Sequence, residues 1–205
     1  MIQRFLFATA LLFFAGGILI TSILRTASPS LAYSQNATAA PRTNQESEQI
    51  DYYLAYPGIL PDHFLWPVKA VRDNIWLFLT TDPLKKAELF LLLADKRIGA
   101  AEVLMAGGKP ELAVSSATAA GKYLEEAFKT EETARNKGAD VDKFLDRLSL
   151  AALKHRERFE GLKIQAPEGL KSQILDAMEY PKKVSEDLKG VFNYIKKPLR
   201  PSPFE

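Results

Sequence analysis

Proline placement sets the limits on what this chain can fold into. Pro57, Pro61 and Pro67 stand within a dozen residues, Pro83 follows Asp82, and the next firm break is Gly107-Gly108. Each proline fixes its own φ and pushes the residue before it, here Tyr56, Leu60 and Trp66, away from the helical region. Residues 56–66 therefore read as an extended, turn-rich approach segment whose apolar side chains need cover. Pro67 suits a first helical position, where a missing N–H costs nothing. From there Val68, Val71, Ile75 and Leu79 recur at helical spacing. Asp82 and Pro83 then read as N-cap and N1 of a second helix. Leu84, Ala87, Leu91, Ala94, Ile98, Ala101 and Met105 form its stripe, widened by Leu89, Phe90, Leu93 and Leu104. A stripe that broad belongs to a helix covered on several sides, the centre of a bundle.

Three more helical stretches follow. Pro110 opens one with Val114, Ala117, Ala120/Gly121, Leu124 and Ala127/Phe128 inward, its small residues permitting close approach to a neighbour. Glu125–Lys129 and Glu131–Arg135 read as i,i+4 pairs on its outer face. Asp140 is placed to cap the next, with Val141, Phe144/Leu145, Leu148, Ala151/Ala152, His155 and Phe159 inward, and Lys154, Arg156 and Arg158 near its negative end. After Pro167, the residues Leu170, Ile174, Ala177/Met178, Val184, Leu188, Val191/Phe192 and Ile195 keep one phase through Pro181, which predicts a single kinked helix although an internal proline costs ~3 kcal/mol or more. No alternating strand pattern occurs. The fold class is all-α: an antiparallel bundle of four to five helices over residues 51–195, with residues 196–205 a disordered tail.

Residues 5–24 are an almost unbroken apolar run after Arg4. At about 1.5 Å per residue, some twenty residues cross a ~30 Å hydrocarbon layer. Ser30-Leu31-Ala32 also offers the small residues a signal peptidase requires, so residues 1–25 read as a signal peptide or membrane anchor. Residues 26–50, rich in Ser, Thr, Ala, Asn and Gln, read as a flexible spacer holding the domain off the membrane. Both readings put the domain on the extracytoplasmic side, anchored or secreted.

Leu60-Pro61-Asp62 with Trp66-Pro67, then Asp82-Pro83-x-Lys85-Lys86-Ala87-Glu88 and Ala94-Asp95-Lys96-Arg97, resemble an uncharacterised bacterial family. It is a domain-of-unknown-function family of extracytoplasmic helical domains, with patterns close to L-P-D-x-x-x-Y-P-x-K and D-P-x-x-K-A-E-L. The likeness spans roughly residues 56–165, with Trp66 in place of the family's Tyr. The resemblance implies a membrane-proximal helical domain and brings no catalytic residue with it. Some relatives carry a cytoplasmic segment similar to an anti-sigma factor, whereas only Met1-Ile2-Gln3-Arg4 precedes the apolar run here.

Composition removes several chemistries. The chain has no cysteine, two histidines and a formal net charge of +2, which argues against thiolate catalysis, Cys-type zinc sites and nucleic-acid binding. Phosphate loops, nucleophile elbows and His-Glu-x-x-His or Glu-x-x-His pairs are all missing. No catalytic, cofactor-binding or metal residue is assigned, and no cofactor is expected. His155, without a second ligand at i±3/4, reads as a boundary residue bonded to a neighbouring helix. Asp62 reads as a local turn cap beside a solvated His63. Trp66, Trp76, Phe64 and Phe78 read as core more readily than as a ligand groove or partner surface. Lys85-Lys86 and Lys182-Lys183 face water, with contact to anionic lipid the alternative.

Two readings remain. One is an exported or membrane-anchored, non-enzymatic module binding a protein or envelope partner. The other is a holdase-like bundle or a binder of a small apolar ligand, requiring Leu89, Phe90, Leu92 and Leu93 to stay uncovered. A contiguous exposed apolar patch or a sizeable pocket supports the second.

Overall fold

A computed structural model of the chain describes residues 50–199 and 201–204; the apolar run at 5–24 and most of the spacer lie outside them. The described residues are helical, without a strand: α1 (Trp66–Leu79), α2 (Pro83–Ala106), α3 (Pro110–Asn136), α4 (Asp142–Gln165) and α5 (Glu168–Tyr194). Among them no helix is long and apolar enough to cross a membrane.

The helix boundaries follow from local chemistry. Asp82 caps α2, its Oδ1 accepting from the Lys85 backbone N–H at 2.8 Å, with Pro83 at the first position. At the other end Gly108 takes φ +71°, which lets Lys109 N–H reach the Leu104 carbonyl at 2.9 Å and closes the helix. Gly138 (φ +83°) ends α3 in the same way, with Ala139 N–H bonded to the Ala134 carbonyl at 3.1 Å. Asp140 does not sit at the cap position of α4. Its carboxylate instead accepts from the Asp142 N–H at 3.2 Å, one step outside the first turn, and Val141 is the capping residue.

α5 runs unbroken through Pro181, as the retained phase predicts. The carbonyl of Pro181 accepts from the Ser185 hydroxyl at 2.8 Å.

Helices α2 to α5 form a four-helix ring in which α2 packs on α3, α3 on α5, α5 on α4 and α4 on α2. Short links make consecutive helices antiparallel. The lateral pairs run parallel: Arg147 of α4 meets Glu88 of α2, Arg158 meets Glu102, and Lys183 of α5 meets Glu125 of α3. Gly121 lets α3 and α5 approach closely, since a Cβ there would lie 2.8 Å from the Tyr180 ring.

The core has two halves. Leu91, Leu124, Phe144, Leu148, Leu188 and Phe192 fill one; Ile98, Leu104, Phe159, Leu162, Ile174 and Met178 fill the other. Asp95 and His155 occupy the waist between them, each flanked along its own helix by residues of both halves.

Two expectations about the surface are corrected. Glu131 is not on an outer face: its side chain is fully buried, paired with Arg135 at 3.1 Å, and Oε2 has no partner. Burial holds its carboxyl above the usual range against the opposing pull of Arg135. The chain after α5 shows no helical period in sequence, yet Leu199 packs against the first core half. Lys197 bonds Asp146 at 2.9 Å, and the Arg156 guanidinium lies 4.4 Å from the Phe204 ring centroid.

Candidate docking surface and the buried polar waist

α1 is turned inside out. Its only buried residue is Asp73, at 3% exposure, while Phe64, Val68, Val71, Phe78 and Leu79 are 81%, 62%, 58%, 83% and 61% exposed. Leu65 and Ile75 complete the same outward row. The spacing that marks an apolar stripe in the sequence is present, but the stripe faces away from the bundle. Phe64 and Phe78 are therefore not core, contrary to the expectation for this aromatic cluster; Trp66 and Trp76 are half-buried.

Polar chemistry anchors the inner face. Arg72 grips the buried Asp73 at 2.8 Å, and the second oxygen of that carboxylate has no partner. Arg97 of α2 lies 4.0 Å from the centroid of the Trp66 ring, with the Lys69 ammonium 5.0 Å from the same centroid. Lys69 Nζ also donates to the carbonyls of Pro57 (2.7 Å) and Ile59 (2.9 Å), tying the approach segment to α1. Burial pushes this amine down to about 8, although Asp73 pulls the other way.

Asp62 is not only a turn residue: it bonds Lys109 at 2.5 Å, just beyond the C-terminus of α2, and this bond lowers its carboxyl. His63 Nδ1 accepts from the Leu65 N–H at 3.1 Å, and its ring stacks on Phe64. The Leu-Pro-Asp…Trp-Pro-x-Lys pattern thus has a structural account. Lys69 ties the approach segment to α1, Trp66 meets Arg97 of α2, and Asp62 bonds Lys109 in the link after α2.

The waist holds a second polar arrangement. His155 Nε2 lies 2.9 Å from Asp95 Oδ1, and Tyr52 donates its hydroxyl to Asp95 Oδ2 at 2.8 Å. With a carboxylate as acceptor, Nε2 carries the proton. Burial first, then the Asp95 charge, pushes the Tyr52 hydroxyl far above its ordinary range, so it stays a donor. His155 is bonded to a neighbouring helix, as expected, but it is wholly buried rather than at a boundary.

An imidazole oriented by a carboxylate can serve as a base through its other nitrogen. Here Nδ1 is buried without a partner. Neither the cavity between α4 and α5 nor the groove between α3 and α5 is lined by His155. The arrangement ties Tyr52 and α4 to α2 within the core.

Sequence reasoning missed Asp95 and Tyr52. Asp95 follows Ala94 inside the apolar stripe of α2, a position where a charge signals a buried partner. Tyr52 falls at the edge of the presumed spacer and carries no local signal.

The remaining candidates are dispersed. Lys183 pairs with Glu125 at 2.9 Å and Lys182 with Glu179 at 2.7 Å, while Lys85 is exposed. Among the described residues no group of three His, Asp or Glu could hold a metal ion. A cavity of about 170 Å³ lies between α4, α5 and the C-terminal segment, lined by Leu153, Leu188, Leu199, Arg156, Lys182 and Ser202, among others.

The family model of a domain of unknown function, DUF5667, matches residues 58–169, more than half of the chain. The chain belongs to the DUF5667 family. The match begins within the approach segment and takes in α1 to α4, so the Asp62–Lys109 and Lys69–Ile59 contacts lie inside the DUF5667 region, while Pro57 falls just before it. Tyr52 and nearly all of α5 lie outside it. Comparison with curated proteins and with solved structures finds no match.

Proposed function

We propose that this chain is a non-catalytic helical module of the cell envelope, exported and tethered by its N-terminal apolar run, which binds an envelope partner through the outward face of α1. The observation supporting the reading is the inverted packing of α1. Seven large apolar side chains form one exposed row, while an aspartate of the same helix is buried. A soluble surface rarely carries a contiguous apolar strip of this kind without a use for it. On the inner face the Trp66 ring meets Arg97 of α2 and Lys69 bonds the approach segment, which leaves the row outward.

The test is site-specific photo-crosslinking in intact envelopes. A photoreactive residue at position 71 should give a discrete adduct, and one at the exposed Lys122 of α3 should not. Equal, diffuse labelling from both positions would count against the reading.

A second reading, binding of a small amphipathic ligand, draws on the cavity between α4 and α5, where an apolar floor meets Arg156 and Lys182. The α2 residues that a holdase reading needs exposed do not favour it, since Leu89 and Leu93 are buried. Saturable binding of a short-chain carboxylate, lost on Lys182→Glu, would support the ligand reading.

A further inference from the structure

We propose that the occupant of the α1 face is the lipid bilayer itself: α1 lies along the membrane interface with Phe64, Val68, Val71, Ile75, Phe78 and Leu79 among the upper acyl chains. The inference rests on the tethered docking reading and specifies its partner.

Four observations converge on lipid. The outward row offers almost no hydrogen bonding. Its one polar member, Asn74, already donates its amide to the Ala70 carbonyl at 2.9 Å. Protein partners bring about one hydrogen bond per 100–200 Å² of interface, whereas acyl chains bring none. The strip is also small. Fourteen residues at about 1.5 Å each make a surface about 21 Å long and one helix wide, short of the ~800 Å² per partner of a standard stable protein interface.

Phe, Leu, Ile and Val gathered on one exposed helix face are the apolar side of an interfacial helix. No acidic residue stands on the row between Asp62 and Asp82, and the exposed Lys85 follows its C-terminal end. Finally, 25 residues (25–49) separate the apolar run from the first described residue. A Ser/Thr-rich chain of that length has a typical end-to-end span of about 25–30 Å, comparable to the diameter of a small domain, so the bilayer stays within reach of α1.

The chain supplies its own reporter. Its two tryptophans, Trp66 and Trp76, are both in α1, so the apolar run adds no background emission. The full chain is reconstituted into vesicles of zwitterionic phospholipid with a minority of anionic lipid, with and without bromine on the upper acyl carbons. Brominated lipid should quench the emission by roughly a third or more, as insertion 5–10 Å below the headgroups requires. Phe78→Glu with Val71→Glu should remove the quenching while circular dichroism stays helical. Phe78→Asn, milder and at a position 83% exposed, should reduce it without disturbing the fold.

Absent quenching in a helical protein, or quenching unchanged in both variants, would overturn the proposal. A protein adduct from position 71 without lipid quenching would leave the docking reading standing and overturn this one.

Discussion

The ammonium of Lys69 donates to the carbonyl of Pro57 at 2.7 Å, joining α1 to a segment twelve residues upstream that has no regular structure of its own. A second bond to Ile59 and the neighbouring Trp66 ring make Lys69 the centre of this junction. Lys69→Met keeps the aliphatic stem and removes both bonds. Charge-assisted hydrogen bonds contribute about 1.5–3 kcal/mol each when buried, less at this half-exposed site, so a loss of about 1–3 kcal/mol is expected. Hydrogen exchange should accelerate through residues 56–66 and α1 while α2 to α5 stay protected.

Asp95 holds two partners at once, so its removal and theirs differ in cost. Tyr52→Phe should lower stability by about 1 kcal/mol, the worth of one hydrogen bond. Asp95→Ala should cost about 2–4 kcal/mol, because it strands a buried imidazole as well as the tyrosine hydroxyl. Chemical denaturation of the two variants and the double variant measures the coupling. Strict additivity would show that Tyr52 and Asp95 are not coupled.

Gly121 and Gly161 predict opposite outcomes for one substitution. Alanine favours a helix over glycine by about 1 kcal/mol. At Gly161 nothing lies within 4 Å of the new methyl, so Gly161→Ala should raise the melting temperature. At Gly121 the methyl meets the Tyr180 ring at 2.8 Å and its Cβ at 2.9 Å. Overpacking costs about 1–3 kcal/mol and outweighs the propensity gain, so Gly121→Ala should melt lower.

Glu131 gives the pH prediction. Burial raises its carboxyl above the value it has in the unfolded chain, so the native state binds that proton more tightly. The stability this group contributes is full below the ordinary carboxylate range and is lost as pH rises through the raised native value. Glu131→Gln cannot titrate. The melting temperature of the wild type relative to this variant should therefore fall as pH is raised from acid to neutral. A constant difference would mean the carboxyl is not raised.

Helix number, most boundaries and the passage through Pro181 were legible because proline, glycine and capping chemistry act locally. The Asp82 cap and the Gly108 stop need only a few neighbouring residues. The inversion of α1 was not legible. Periodicity reports that Val68, Val71 and Ile75 share a face, but not which way the face turns. The Arg97 guanidinium over the Trp66 ring, and the Asp73 charge acting on Lys96, draw the opposite face of α1 toward α2. The Asp95–His155 pair was half legible: His155 fell on an inward stripe, while its partner lay 60 positions away in sequence.

The claim on which the account turns is that the α1 stripe faces outward, and charge insertion tests it most directly. In the detergent-solubilised full chain, without vesicles, Val71→Glu and Phe78→Glu should each shift the unfolding free energy by no more than about 0.5 kcal/mol, as surface substitutions do. Leu91→Glu, at 2% exposure in the core, should abolish cooperative unfolding. A collapse of Val71→Glu comparable to that of Leu91→Glu would contradict the outward orientation of α1.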